Sequence, residues 1–180
     1  MKDISVIIGA RAGSKRVKNK NTRLLNDKPL IVYTIEQAIA LNNISNIFVS
    51  SNDSKVKDIC SDFDEVTFIQ RPDEISTHVS KDIEYINHIL ESFSFDIFVK
   101  LNPTSPFRQA SFIQRNIEEF LDNDKYDSAR AVQLCKEHPG KMWTVEEDNL
   151  LKPLDLNLKF EYEMHEAQYQ DLPEVYIQTS

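Results

Sequence analysis

Short apolar runs alternate with longer amphipathic segments along this chain, and the alternation limits the folds that it can adopt. Four brief runs are rich in β-branched or aromatic residues, which predicts strands buried on both faces of a sheet. These runs are Ile4–Ala10, Asn46–Ser50, Val66–Ile69 and Ile97–Leu101. A segment with helical spacing follows each run, so the order predicts an α/β fold with a mostly parallel sheet and helices on both faces.

Local signals indicate where the helices begin. Pro29 is predicted to open the first helix, since proline suits the first helical turn. Asp53 and Ser80 are predicted to cap the second and third helices. The third helix is predicted to bury one apolar face. That face comprises Ile83, Ile86, Ile89 and Leu90.

The pattern is weaker in the last third of the chain. Asp127–Leu134 is predicted to form a fifth strand, and Val175–Ile177 is strand-like. Residues 138–172 are charged and irregular, which we interpret as a segment for substrate binding or dimerisation. A length of 180 residues favours a single domain, residues 1–180.

Composition argues against several classes of protein. No apolar stretch is long enough to span a bilayer, and no secretory signal is recognised, so we expect no membrane partner. Two cysteines, Cys60 and Cys135, do not make a disulfide framework, which favours a cytoplasmic location. The net charge of −8 argues against nucleic-acid binding. The histidines and cysteines show no metal-ligand spacing.

Positive charge is concentrated at the start of the chain. Residues 1–28 contain eight Lys or Arg against two Asp, a local charge of +6, whereas the remainder sums to −14. Two of the three glycines, Gly9 and Gly13, lie in this basic segment. The segment follows the first predicted strand, and parallel sheets bind ligands where their strands end.

The loop from Gly9 to Asn21 has the residue types that a phosphate site needs. Small residues allow close approach of the backbone, and Arg11, Lys15 and Lys20 supply fixed positive charge. The glycine spacing fits neither a Walker A loop nor the G-x-G-x-x-G pattern. The sequence leaves two interpretations open, a phosphate-binding loop and a solvated basic loop.

Three further loops follow the other predicted strands. Asn102–Arg108 contains two prolines and offers polar side chains, and the alternative is a rigid turn that caps the next helix. Ser50–Asp53 suits a helix cap as well as a ligand contact. Arg71-Pro72 follows the third strand. A lone arginine is usually a surface charge, and only its place among these loops makes it a candidate for ligand binding.

Together these loops resemble those of the cytidylyltransferases of the CMP-sialic acid (acylneuraminate) synthetase type, which include enzymes for legionaminic and pseudaminic acids. The first motif of that family is matched at Ala10, Arg11, Gly13, Ser14, Lys15, Lys20 and Asn21. Its later motifs are matched at Val49–Asp53, Arg71-Pro72, Pro103–Arg108 (with Phe107 for Leu), His138, Pro139, Lys141, Leu172, Pro173 and Tyr176.

The resemblance implies a three-layer Rossmann-like nucleotidyltransferase fold and an enzyme that transfers CMP from CTP to a nonulosonic, sialic-type sugar acid. Pyrophosphate is released with the help of Mg²⁺, for cell-surface glycan synthesis, and a homodimer is implied. Lys20 and Arg11 would act in catalysis. The nucleotide would contact Ala10, Arg11, Gly13, Ser14, Lys15, Lys20, Asn21 and Arg71. The sugar acid would contact Asn102, Ser105 and Lys141.

The chain also departs from the family pattern. The resemblance implies a C-terminal part that is missing or atypical, since the family's Asp-x-Asp that ligates magnesium has no counterpart here. The metal ligands are therefore unassigned, with Asp53 and Asp82 as the remaining candidates. Tyr169 stands where many relatives have an arginine. The alternative interpretation is a non-catalytic or truncated CTP-binding module.

Overall fold

The computed structural model describes residues 2–15, 17–137, 139, 142–145, 151–153 and 176–178. Its strands are β1 (Ile4–Gly9), β2 (Leu24–Leu25), β3 (Lys28–Pro29), β4 (Asn46–Ser51), β5 (Val66–Gln70), β6 (Ile97–Leu101), β7 (Val132–Leu134), β8 (Trp143–Val145), β9 (Leu151–Pro153) and β10 (Tyr176–Gln178). Its α-helices are α1 (Leu30–Ile39), α2 (Ser54–Cys60), α3 (Asp82–Leu90) and α4 (Ala110–Leu121). Within these described residues, we find no helix that could span a membrane.

A parallel four-stranded sheet in the order β5-β4-β1-β6 forms the centre of the first of two compact units, Met1–Asp127. Helices cover both faces of this sheet, as predicted. Ile4, Val6 and Ile8 of β1 pack on one face with α1, α2 and α4, whereas Ile7 packs on the other face with α3. Burial of each such isoleucine contributes roughly 1.5–3 kcal/mol. The α/β prediction is confirmed.

The second compact unit, Ser128–Thr179, differs from the sequence prediction. The strand predicted at Asp127–Leu134 comprises only Val132–Leu134 and pairs antiparallel with Tyr176–Gln178, so it does not extend the parallel sheet. Residues 127–131 are exposed and polar or small, which explains why the strand begins late. β8 and β9 form a separate antiparallel pair. That residues 1–180 fold as one domain stays a prediction.

Two of the three predicted helix starts are confirmed. α1 begins directly after Pro29, and the Asp53 carboxylate accepts a hydrogen bond from the Lys55 amide at 3.0 Å. The third start is wrong by one residue, because Lys81 is the N-cap of α3. The Ser80 hydroxyl instead accepts a hydrogen bond from the Thr77 amide at 3.0 Å.

The buried face of α3 also differs from the prediction. Ile86 and Ile89 are buried together with Tyr85, whereas Ile83 and Leu90 are 54% and 45% exposed. At 3.6 residues per turn, these two side chains point about 100° away from the centre of the buried face. The buried face of α3 is therefore rotated towards Tyr85, which was not predicted to lie on it.

The strand order fixes where a ligand can bind. From β1 the chain runs outward to β4 and β5 and then returns to β6 on the other side of β1. Neighbouring connections therefore diverge at the carboxyl ends of β1 and β6. Open α/β sheets bind ligands in the crevice that forms at such a switch point.

Candidate functional site

A cavity of about 320 Å³ lies at the carboxyl ends of β1, β5 and β6. Three loops and the first turns of α3 form its walls. The lining residues are Gly9, Arg11, Ser14, Lys20, Asn21, Arg71, Ser80, Asp82, Tyr85, Asn102, Pro103 and Thr104. Six residues that the sequence singled out for binding are thus brought together: Arg11, Ser14, Lys20, Asn21, Arg71 and Asn102.

Other predicted site residues do not line this cavity. Ala10 is buried, and its amide already donates to the Ser50 carbonyl at 2.9 Å, so that amide is not available to a phosphate. Gly13 and Lys15 are exposed outside the lining, and Ser105 lies one residue beyond Thr104. Lys141 lies outside the described residues.

The loop after β1 is held by hydrogen bonds from within and from outside. The Asn21 side chain donates to the Arg11 carbonyl at 3.1 Å, and the Arg11 guanidinium donates to the Ala12 carbonyl at 3.1 Å. The Ala12 amide donates to the Asn52 side chain at 2.9 Å. Gly13 has a φ of +70°, a left-handed conformation that favours glycine. This loop is therefore shaped before any ligand binds.

Three cations surround the cavity. Burial and the nearby Arg11 both lower the pKa of Lys20. Burial lowers the pKa of Arg71, and Arg11 acts in the same direction while Tyr85 and Asp82 oppose it. Burial therefore desolvates the charges of Lys20 and Arg71, and Arg11 repels both of them, so an anion in the cavity would relieve both effects.

Neutral groups hold Arg71 in place. Its Nε donates to the Ser50 hydroxyl at 3.0 Å and its Nη2 donates to the Ser50 carbonyl at 2.9 Å. Its guanidinium lies 4.1 Å from the centre of the Tyr85 ring. Tyr85 was not predicted as a site residue, and its one signal in the sequence was an aromatic side chain next to Ile86 on the helix that follows Arg71.

Side-chain hydrogen bonds from Arg108 and Gln37 hold the loop after β6 in its conformation. Arg108 donates to the carbonyls of Asn102 at 2.6 Å and Ser105 at 3.1 Å. The buried Gln37 of α1 donates to the carbonyls of Pro106 at 2.8 Å and Arg108 at 3.0 Å. Arg108 and Gln37 therefore shape this loop, and sequence reasoning gave no role to Gln37.

The two carboxylates considered for a metal have other partners. Asp53 caps α2, and Asp82 forms an ion pair with Lys100. Within the described part of the chain, no group of three His, Cys, Asp or Glu side chains is placed to hold a metal ion. These residues alone do not build a metal site.

Several known proteins are similar to this chain. Residues 5–176 match the family model described as Cytidylyltransferase. N-acylneuraminate cytidylyltransferase of Escherichia coli O18:K1:H7 is 34% identical over 130 residues, which cover 72% of this chain and 31% of that protein. CMP-N,N'-diacetyllegionaminic acid synthase of Legionella pneumophila is 36% identical over 120 residues, which cover 64% of this chain and 52% of that protein.

A solved structure is also similar. CMP:2-keto-3-deoxy-manno-octonic acid synthetase complexed with CTP aligns with a TM-score of 0.71 over 98% of this chain and 71% of its own, at 14% identity. That likeness concerns the fold alone. The chain spans about a third to a half of the length of the two curated relatives described above. The match over residues 5–176 nevertheless includes nearly the whole chain, which belongs to the cytidylyltransferase family.

Proposed function

We propose that this chain binds CTP in the cavity and transfers CMP to a nonulosonic, sialic-type sugar acid, releasing pyrophosphate. The observation that best supports the proposal is the convergence of Arg11, Lys20 and Arg71 on one cavity of about 320 Å³. The negative charge of a triphosphate is enough to account for the positive charge around this cavity, so no nucleic acid needs to be invoked. The names of the relatives support the choice of nucleotide and of acid.

The proposed reaction uses these side chains in distinct ways. A hydroxyl of the acid attacks the α-phosphorus and gives its proton to solvent, the bond from that phosphorus to the bridging oxygen breaks, and pyrophosphate leaves. Lys20 and Arg11 would stabilise the negative charge that develops on the leaving group. Ser14 and Asn21 would bind phosphate and sugar oxygens, and Arg71 would contact the nucleoside.

The sugar acid would lie against the loop after β6. Asn102 lines the cavity together with Thr104, and both side chains can bind hydroxyl groups. Ser105 and Lys141 remain proposed contacts for the acid, and Ala10, Gly13 and Lys15 remain proposed parts of the nucleotide loop. A cytoplasmic location and a homodimer are also proposals that rest on the resemblance.

We expect Mg²⁺ to enter the site bound to the phosphates of CTP. Magnesium sites in such enzymes use one or two carboxylates together with phosphate oxygens. Asp82 is the carboxylate among the described lining residues, and its oxygen already pairs with Lys100. The triphosphate itself would hold most of the ion's coordination sphere, and the ion would neutralise charge on the phosphate that is transferred.

Pyrophosphate release by the 180-residue chain tests the proposal. The assay contains Mg²⁺, one of CTP, UTP or ATP, and one of sialic, legionaminic, pseudaminic or 3-deoxy-octulosonic acid. We expect release with CTP and one acid. Arg11→Ala is the control that detects an enzyme from the expression host, because contaminating activity would survive this substitution.

The alternative is a module that binds CTP without transferring it. The observation that favours it is that the chain spans only 31% and 52% of the two curated relatives. CTP would then raise the melting temperature without pyrophosphate release from any acid. Failure of CTP to raise the melting temperature, together with absence of release, would contradict both functions.

A further inference from the structure

Tyr85 lies between two elements of the proposed nucleotide site. Its side chain is 3% exposed, and its ring faces the Arg71 guanidinium at 4.1 Å. On another side it contacts Gly9, the last residue of β1. A Cβ atom at position 9 would lie 2.8 Å from both the Cζ and the hydroxyl of Tyr85, closer than real contacts allow. The absence of a side chain at Gly9 therefore makes room for this ring.

Arg71 is a buried cation that the Tyr85 ring helps to stabilise. It is 4% exposed, and within the described residues it has no ion pair with a carboxylate. A buried cation without such a pair needs compensation from other groups. Ser50 accepts two hydrogen bonds along one edge of the guanidinium, the Tyr85 ring adds a cation–π contact, and the nearby Asp82 charge also stabilises the cation.

The two contacts together define the orientation of Arg71. The bonds to Ser50 use Nε and Nη2, and the Tyr85 ring, 4.1 Å from the guanidinium carbon, limits its movement on that side. The donors on Nη1 have no hydrogen-bond partner within the described residues. Because Arg71 lines the cavity, those donors are available to a ligand there.

We propose that Tyr85 is a positioning residue, whose ring orients Arg71 so that the guanidinium binds the cytosine end of CTP. This inference rests on the proposed function. Cytosine presents O2 and N3 as acceptors along one edge, whereas uracil has an N–H donor at N3. A rigid pair of donors therefore favours CTP over UTP, and loss of the ring should reduce that preference.

Four variants of the full chain test the inference. Tyr85→Leu removes the ring, Tyr85→Phe keeps it without the hydroxyl, and Gly9→Ala pushes the ring away from β1. Gly9→Ala combined with Tyr85→Leu removes the clash and the ring together. Affinities for CTP and UTP come from calorimetry, and KM and kcat come from pyrophosphate release where the chain turns over.

The expected changes follow the strength of the cation–π contact. Tyr85→Leu and Gly9→Ala should weaken CTP binding by roughly 3- to 30-fold, and should raise KM for CTP far more than they change kcat. UTP binding should change by less than about threefold, since the lost preference concerns cytosine. Tyr85→Phe should behave like the wild type. If Tyr85→Phe loses as much as Tyr85→Leu, or if CTP and UTP are affected equally, the inference is wrong.

A measurement without nucleotide separates this inference from the proposed function. The Nε–H of Arg71 should give a slowly exchanging nitrogen NMR signal, assigned by its loss in Arg71→Lys. We expect the signal to persist in Tyr85→Phe and to exchange rapidly in Tyr85→Leu, in a chain that still unfolds cooperatively. A signal unchanged in Tyr85→Leu would overturn the positioning role. Absence of CTP binding to the wild type would instead contradict the proposed function.

The double variant covers the case in which Gly9→Ala simply misfolds. If the clash with Tyr85 is the cause, the double variant should unfold at a higher temperature than Gly9→Ala alone and should still bind CTP as weakly as Tyr85→Leu. Recovery of wild-type affinity in the double variant would contradict a role for the ring.

Discussion

The Lys20 charge should be unfavourable in the free protein and favourable once a triphosphate is bound. Burial and the neighbouring Arg11 both lower the pKa of Lys20, so its ammonium is partly desolvated and repelled. Within the described residues no carboxylate pairs with it. Lys20→Ala should therefore leave the free energy of unfolding of the ligand-free chain within about 0.5 kcal/mol of the wild type, or raise it.

The same substitution should be costly for binding. A hydrogen bond that involves a charged group contributes about 1.5–3 kcal/mol. Loss of one such bond between Lys20 and a phosphate corresponds to a CTP affinity about 10- to 160-fold weaker. Stability and affinity are thus expected to respond differently to one substitution, which a general effect on folding would not produce.

Calorimetric titration with CTP and thermal unfolding without ligand measure the two effects. Lys18→Ala is the matched control, because Lys18 is exposed in the same loop, has the same charge and does not line the cavity. Its CTP affinity should change by less than about twofold, as expected for an exposed charge that salt screens. Equal losses in both variants would show a long-range charge effect. A large drop in melting temperature for Lys20→Ala would show a structural role.

Three further predictions concern the loop after β1 and its supports. Gly13→Ala should lower the melting temperature by about 2–4 °C and Gly13→Asn by less, since a Cβ at φ +70° meets no atom within 4 Å and the cost is backbone strain alone. Asn52→Ala should reduce the free energy of unfolding by about 1–3 kcal/mol in urea titrations, because it removes the acceptor of the Ala12 amide and the donor to Asp73. CTP affinity should fall as the pH rises through the lowered pKa of Lys20, since the ammonium loses its proton there; Lys20→Arg should abolish this dependence in titrations at alkaline pH.

The parallel sheet could be predicted closely because each of its strands is encoded locally. Each of the four apolar runs coincides with a strand to within one residue at either end. The strand predicted at Asp127–Leu134 was wrong in extent, and its antiparallel pairing with Tyr176–Gln178, which joins segments far apart in sequence, was not predicted. Hydrophobic periodicity is a local property of the sequence, so it does not predict which distant strands pair with one another.

The site could be predicted in part for the same reason. Loops that follow parallel strands meet at one edge of the sheet. The convergence of Arg11, Arg71 and Asn102 could therefore be predicted from the order of strands and helices along the chain. The role of Tyr85 could not be predicted from its one local signal, since its contact with Gly9 depends on how α3 packs on β1. That position results from tertiary packing, and an aromatic residue on an apolar helix face looks like ordinary core.

The supports of the site explain why its positive charge remains available. Asn52 links the Ala12 amide to Asp73, and Ser50 anchors Arg71. These supports are amides, hydroxyls, carbonyls and an aromatic ring, together with the Asp73 carboxylate, which accepts a hydrogen bond from the Asn52 side chain.

Had carboxylates held Arg11, Lys20 and Arg71 instead, an incoming triphosphate would have to displace them and would gain little net free energy. Without such ion pairs among the described residues, Arg11 repels both Lys20 and Arg71 in the free protein, and the pKa values of both are lowered, although Asp82 offsets part of this effect at Arg71. The relief of that repulsion then appears as binding free energy for the anion. A cavity assembled in this way should favour ligands with several negative charges over those with one, so CTP should bind much more tightly than CMP.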